Sequence, residues 1–311
     1  MSKSKQNNAG AEITNYSDWM SQLPPQLHNV PLFRLAIPGS HDSMSYNLDI
    51  NSSIVEPERV KRFSKIYCVR KIVRRWAVTQ EETITKQLDA GVRFFDMRIA
   101  RKPNDTNPTR LFFYHGLYTR TDVEVKLGVW AEKHPKEILI LALSNFKNTD
   151  KQLHIHLINF IKTLFKARLF PRSEIPTLKR CWDSGRNVIV SYDYSINQHI
   201  ELWRKMTYYY GNSMDPTKVE AELRKALEKP RQSHCFLVCG LNLTLPSDVR
   251  ILRYILRLCD NFANTVQRSL PRLLQWVKEQ AGKTPVNVIA SDLVTRDGFV
   301  PMIVRLNFSN I

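Results

Sequence analysis

His41 and Asp42 (in Ile37-Pro38-Gly39-Ser40-His41-Asp42-Ser43), Arg98 (closing Gly91-Val92-Arg93-Phe94-Phe95-Asp96-Met97-Arg98) and His115 (after Leu111-Phe112-Phe113-Tyr114) are side chains that move protons or hold anions, each set beside an apolar run. An imidazole next to a carboxylate is a candidate acid/base pair, although a turn histidine with a capping aspartate would look the same. Period-two alternation puts Phe94, Asp96 and Arg98 on one strand face; a charged pair among aromatics needs a partner or a ligand, the plainer alternative being an ion pair that closes a barrel layer. Two imidazoles and a guanidinium suit attack on a phosphodiester. One imidazole takes a proton from the attacking hydroxyl and the other protonates the departing oxygen. The guanidinium neutralises the nonbridging oxygens, and carboxylates behind the rings fix tautomer and charge.

Such chemistry requires elements that bring distant residues together. Apolar runs predict strands over Pro31–Ile37 (ended by Pro38 and Gly39), Val92–Ile99, Leu111–Tyr114, Glu137–Leu143, Asn187–Ser191, Cys235–Gly240 and Val286–Ala290, with Gly298–Leu306 as an eighth, irregular strand. Helical spacing is read over Tyr16–Leu23, Thr79–Ala90, Asp122–Lys133, Leu153–Lys166, Thr177–Trp182, Pro216–Leu227 and Arg250–Lys278, and Trp203 with Tyr208–Tyr210 reads as an aromatic loop. Alternation of this kind implies right-handed crossovers and a parallel sheet. Seven or eight strands predict an irregular or incomplete TIM (β/α)8 barrel, whose strand C-termini converge on one mouth. His41, Asp42, Arg98, His115, Asn145, Tyr192, Asp193, Asn242 and Asp292 all follow or end strands and would meet there; a doubly wound sheet would separate some of them.

The chain has 311 residues, 43% of them hydrophobic, which is enough for a real core in one large domain or two small ones. The reading adopted is a flexible segment over 1–18 and a single domain over 19–311. A formal net charge of +17 favours anionic partners: a membrane surface, nucleic acid or a phosphorylated substrate. Residues 57–76 interleave eight Lys and Arg residues with Val60, Phe63, Ile66, Val69, Ile72, Val73 and Trp76, an amphipathic helix with a cationic face. No nucleic-acid motif accompanies the charge, so an anionic phospholipid surface is the expected partner. Cys68, Cys181, Cys235, Cys239 and Cys259 are scattered and odd in number, and read as core thiols in a reducing compartment rather than disulfides or a zinc site. The polar N-terminus has no apolar signal core. The longest clean apolar run, Ile138–Leu143, is a strand's length, so the expectation is a cytoplasmic protein, compatible with the nucleus, with peripheral but no transmembrane contact.

With these motifs in view, the chain resembles the X domain of phosphatidylinositol-specific phospholipase C, and from about Trp19 to Asn307 it is similar to the small X-domain-only proteins of animals. The resemblance rests on 37–43, 91–98 and His115, with Trp76-Ala77-Val78-Thr79-Gln80, His134-Pro135-Lys136-Glu137, Val188–Tyr192, Gly240–Thr244 and Asp292 with Phe299 in support. It implies a PLC-like phosphodiesterase barrel that cleaves phosphatidylinositol. It implies His41 as base on the inositol 2-hydroxyl with Asp292 orienting it, and His115 as acid supported by Asp42. Arg98 would lie on the phosphate with Asp96 beside it. Asn145, Tyr192, Asp193 and Asn242 would stand where head-group contacts fall, although the family's head-group residues transfer poorly. The calcium-dependent members carry an asparagine after the first histidine and two acidic metal ligands in the second-strand motif. Here Asp42 and Arg98 replace the asparagine and one ligand, which implies no metal and no cofactor, and activity without calcium. A non-catalytic X domain that binds lipid or protein is the main rival. A metal-dependent glycerophosphodiesterase is disfavoured, because Phe94-x-Asp96 does not supply the Glu-x-Asp pair that such enzymes use.

Overall fold

The computed structural model describes residues 13–122, 127–230, 234–246 and 261–308. Its strands are β1 (Ile37–Ser40), β2 (Phe94–Ala100), β3 (Phe112–His115), β4 (Leu117–Asp122), β5 (Leu139–Lys147), β6 (Val188–Tyr192), β7 (Trp203–Arg204), β8 (Thr207–Tyr210), β9 (Leu237–Gly240) and β10 (Val288–Ser291). The helices are α1 (Glu58–Lys61), α2 (Tyr67–Ala77), α3 (Ile84–Asp89), α4 (Leu127–Lys133), α5 (Lys151–Phe165), α6 (Leu178–Ser184), α7 (Pro216–Leu227), α8 (Phe262–Ala281) and α9 (Phe299–Arg305). Helix starts follow local chemistry. The Asp150 carboxylate accepts from Leu153 N to open α5; Asp215 caps α7 ahead of Pro216, whose missing N–H costs nothing at that position.

Spatial order in the sheet is β7-β6-β5-β2-β1-β10-β9-β8, and every neighbouring pair on that path is parallel. Strands β1, β6, β9 and β10 are buried along their whole length, as expected where helices cover a parallel sheet. The sheet curls into an incomplete TIM barrel, the architecture that the alternation of strands and helices predicts. Strands β7 and β8 belong to one stretch, 203–210: Trp203 pairs with Ser191 on one side, and Thr207 pairs with Leu237 on the other.

Gly39 in β1 lies between its neighbours so closely that a Cβ would stand 2.9 Å from Phe94 Cδ1 and 3.0 Å from Val288 Cγ1. At the N-terminal ends of β2 and β5, Arg93 and Glu137 form a fully buried ion pair with Nη2 to Oε2 at 2.7 Å. Arg93 also donates to Ser17 O, and Glu137 accepts from Met20 N and Ser21 N, so the segment before β1 closes the end of the barrel opposite the mouth. Residues 1–12 of the segment read as flexible lie outside the described residues, as do Cys259 and the first part, 250–260, of the helix expected over Arg250–Lys278; Tyr16–Asp18 is a turn of 3-10 helix.

Several expectations are corrected. Leu32–Arg34 is a 3-10 turn, and the first strand runs through Ile37–Ser40 because Gly39 fits the tight gap and Pro38 sits within it. The third strand is antiparallel to β2 and forms a hairpin with β4, so it is an insert above the barrel rather than a barrel strand. The expected aromatic loop at Trp203 and Tyr208–Tyr210 is strand, and the expected eighth strand is helix α9, in which Phe299, Val300, Ile303 and Val304 are buried at helical spacing. Residues 57–76 split into α1 and α2. Cys68 and Cys235 are exposed, against the expectation of core thiols, leaving Cys181 and Cys239 buried; Cys235 precedes β9, which begins at Leu237 and not at the expected Cys235.

Candidate active site

Asp42 is the hub of the site at the mouth. The chain leaves β1 through a turn in which Asp42 takes a left-handed backbone (φ 41°), a conformation that aspartate tolerates better than most residues. Ser43 N donates to Asp96 O at 2.9 Å and Asp42 N approaches Asp96 Oδ2 at 3.4 Å, which ties the turn to β2. So held, the buried carboxylate stands 3.0 Å from His41 Nε2, 3.2 Å from His115 Nε2 and 2.7 Å from Arg98 Nε. The two imidazole rings lie 5.9 Å apart, centre to centre.

Each ring is anchored on its far side. His41 Nδ1 lies 2.8 Å from Asp292 Oδ1 at the end of β10, and the His41 carbonyl accepts from Gln80 Nε2, which also donates to Ser291 O. His115 Nδ1 donates to the Ala77 carbonyl at 2.7 Å. Arg98 Nη2 reaches His41 Nε2 at 3.2 Å, and its Nη1 lies 3.6 Å from Glu56, whose other oxygen accepts from Lys147 Nζ at 2.9 Å.

The charges explain one another. Burial pulls the His41 imidazole down, yet Asp42 and Asp292 outweigh burial and push it up to about 10. Burial raises the Asp42 carboxyl, but Arg98, His115 and His41 together hold it well below the usual carboxylate range. Asp96 is raised by burial and by the neighbouring Asp42 charge, and Asp292 by burial. Glu56 is pushed up by burial but brought below its ordinary value by His115, Arg98 and Lys147. Ligand atoms of His41, Asp42 and Asp96 come within 4.8 Å of one another, a spacing that a metal ion could use. The Arg98 guanidinium already lies on the Asp42 carboxylate that such an ion would need, so the donor set suits a fixed cation better than a divalent one.

A cavity of about 1120 Å³ opens over these groups. His41, Asp96, Arg98 and His115 line it, as do Asn145 and Asn242 from the expected head-group set. Asp42 stands between the two rings, at Nε2 of each, and Asp292 lies behind His41. Two of the expected head-group residues are not brought to the cavity: the Tyr192 hydroxyl is engaged with His154 Nδ1 at 2.9 Å in the buried core, and Asp193 is held by Lys205 at 2.6 Å, leaving the lysine, not the carboxylate, on the lining. Their positions follow from β6 running one residue longer than its apolar run suggested, to Tyr192.

Sequence reasoning missed Glu56, Lys147 and Tyr208, all on the cavity lining. Tyr208 donates to Asn242 Oδ1 at 3.0 Å, and burial raises its phenol well above the ordinary range. Its signal was alternation within 207–210, masked by three consecutive tyrosines. Glu56 lies in a stretch without period, where nothing in the sequence marks it. Two arginines of the expected cationic face turn inward: Arg70 donates to Ile50 O and Ser64 O, and Arg74 to Leu48 O. Arg59, Lys61, Arg62, Lys65 and Lys71 remain exposed. Among the described residues, no helix is long and apolar enough to cross a membrane.

Residues 73–307 match the family model PI-PLC X 1, a span that includes Arg98, His115 and Asp292 and begins after His41 and Asp42. PI-PLC X domain-containing protein 1 of Danio rerio is 39% identical over 292 residues, covering 90% of this chain and 92% of that protein. The Homo sapiens protein of the same name is 39% identical over 305 residues, covering 93% and 92%. Among solved structures, the phosphatidylinositol-specific phospholipase C from Listeria monocytogenes has a TM-score of 0.66 at 19% identity, covering 94% of this chain and 99% of that one. A phosphatidylinositol-specific phospholipase C structure from S. aureus gives 0.66 at 16%, covering 94% and 98%. At those identities the likeness is one of fold, and it agrees with the incomplete barrel. The family match over most of the length, together with relatives 39% identical over nine-tenths of both chains, places this chain among the PI-PLC X domain-containing proteins.

Proposed function

We propose that this protein is a metal-independent phosphodiesterase that cleaves a glycerophospholipid head group, with phosphatidylinositol as substrate and diacylglycerol and an inositol phosphate as products. The observation that carries the reading is the shared carboxylate: Asp42 holds His41, His115 and Arg98 around one point at the floor of a cavity. In this reading the phosphate lies on Arg98. His41, with Nδ1 committed to Asp292 and Nε2 against Asp42, takes the proton of the inositol 2-hydroxyl at Nε2 once that nitrogen has shed its own, as the oxygen attacks phosphorus. The bond from phosphorus to the lipid oxygen breaks, and His115, whose ring nitrogens both face acceptors, gives its proton to that oxygen. A cyclic inositol phosphate results. Asn145, Asn242 and Tyr208 line the side where the head group would lie. Arg98 does the charge neutralisation for which other phosphodiesterases use a metal. Exposed lysines and arginines of 59–71 bring the mouth to an anionic phospholipid surface from the aqueous side.

The test is turnover of phosphatidylinositol in mixed micelles with excess chelator. The expected outcome is hydrolysis unaffected by chelator and reduced at least about 10²-fold in His41→Ala; loss in chelator with recovery on adding calcium refutes the metal-free assignment.

One observation favours a second reading, a binding module without turnover. His41 lies between two carboxylates that hold its proton firmly. Under that reading wild type and His41→Ala show the same background rate while both still bind phosphatidylinositol vesicles.

A further inference from the structure

The cavity has two chemically distinct sides, and the boundary between them falls at His115. Its ring is tied to the last turn of α2 through Ala77 O. Gly116 brings the hairpin against the same turn: a Cβ there would lie 2.8 Å from Ala77 Cβ and 3.1 Å from Val73 Cγ1. From that junction the lining continues as hydrocarbon through Val73, Val69, Ile66 and Phe63, with Leu245 and Phe262 completing it; the same segment also sets the charged Glu58 and Arg59 on the lining. Val73, Val69 and Ile66 recur at intervals of three and four residues, one face of a helix and its lead-in. Ile66 and Phe63 are 46% and 39% exposed and stand at the mouth.

These apolar groups face the cavity. The outward side of the same segment carries exposed Lys65 and Lys71, so a bilayer resting against it would meet ammonium groups and the exposed Tyr67, and would reach the apolar wall only at Phe63 and Ile66. The volume, about 1120 Å³, is at or above the roughly 300–1,000 Å³ of pockets that enclose drug-sized ligands, leaving space beyond a head group.

We infer that this wall holds a hydrocarbon chain of the lipid inside the protein, so that the site accepts monomeric single-chain phospholipids, such as lysophosphatidylinositol, without a bilayer. The inference rests on the phosphodiesterase reading only for where the phosphate lies, on Arg98 beside His115. The chain then leaves the phosphate on the His115 side and runs along α2 toward Phe63.

The experiment is calorimetric titration of the full-length protein with n-alkyl methyl phosphates, singly charged diesters, from hexyl to dodecyl, each below its micelle-forming concentration. Affinity is expected to rise about fourfold per methylene until the channel is filled, and then to level off. Val69→Trp fills the channel and abolishes the rise. Ile66→Ser, at a half-exposed position where folding is not at issue, weakens dodecyl methyl phosphate about tenfold and leaves hexyl methyl phosphate unchanged. Affinity that is flat across the series, with binding only to phosphatidylinositol vesicles, overturns the inference and gives the wall to the membrane surface. A rise that survives both substitutions also overturns it. The readout is binding, so absent turnover would remove the phosphodiesterase reading and leave this result interpretable.

Discussion

At the scale of single residues, the site is governed by a negative charge that serves two imidazoles and a guanidinium. Asp42→Asn keeps the shape and removes the charge that holds His41, His115 and Arg98 together. The expected loss in kcat for phosphatidylinositol is about 10²–10⁴-fold. The pH profile should move as well. His41 must shed a proton that Asp42 and Asp292 hold up to about 10, so activity should climb with pH above neutrality; in Asp292→Asn one of those carboxylates is gone, and the rising limb should shift to lower pH. Stability runs the other way over the same range. A folded value above the ordinary 6.5 means that the stabilisation from His41 is complete below about 6.5 and fades as pH rises toward 10. For Asp42, held low, the contribution is present above 3.8 and is lost as pH falls through its depressed value. Thermal melts should therefore show a midpoint that declines from pH 7 to about 10, with the decline reduced in His41→Gln. The two histidines, Arg98 and Asp292 were legible in the sequence because each polar group interrupts or ends an apolar run. Glu56 and Tyr208 were not, because one lies in aperiodic chain and the other among like neighbours.

At the scale of elements, the β3–β4 hairpin and α2 place His115. Gly116 has φ +69° and no space for a Cβ against Ala77 and Val73. Gly116→Ala should cost about 1–3 kcal/mol in urea denaturation, from overpacking and from the left-handed backbone together, and should lower activity by moving the ring off Ala77 O. The hairpin also shows where sequence periodicity stops being informative. A short apolar run identifies a strand but not its direction, and the direction of β3 is set by Ile99 and Ala100 pairing with Phe113 and Phe112. His115 reaches the mouth even so, because the antiparallel strand returns toward the same rim from which β2 leaves. Elements with a cap and a full helical face, such as α5 and α7, were read within a residue or two; α9 was misread because its apolar residues are too closely spaced to show a period over seven residues.

At the scale of the whole molecule, the barrel has an open mouth and a closed end, and the closed end holds one buried ion pair. Arg93→Ala should destabilise the fold by about 3–5 kcal/mol by leaving Glu137 charged and unpaired, whereas the double substitution Arg93→Met with Glu137→Leu should recover most of that in equilibrium denaturation. The net charge of +17 gives a further expectation: binding to phosphatidylserine-containing vesicles should weaken steeply as salt is raised from about 0.05 to 0.3 M, since the exposed lysines and arginines act through a screened field. The stretch 203–210 has a consequence for motion. Its first residues are stitched to β6 and its last to β9, so two rims that would otherwise drift independently are joined by covalent bonds across Lys205 and Met206. An outward swing of β6 must drag Tyr208, and with it Asn242, in the same direction. The mouth should therefore dilate as one hoop, and an amide-exchange experiment should show β6 and β9 gaining protection together when a ligand fills the cavity.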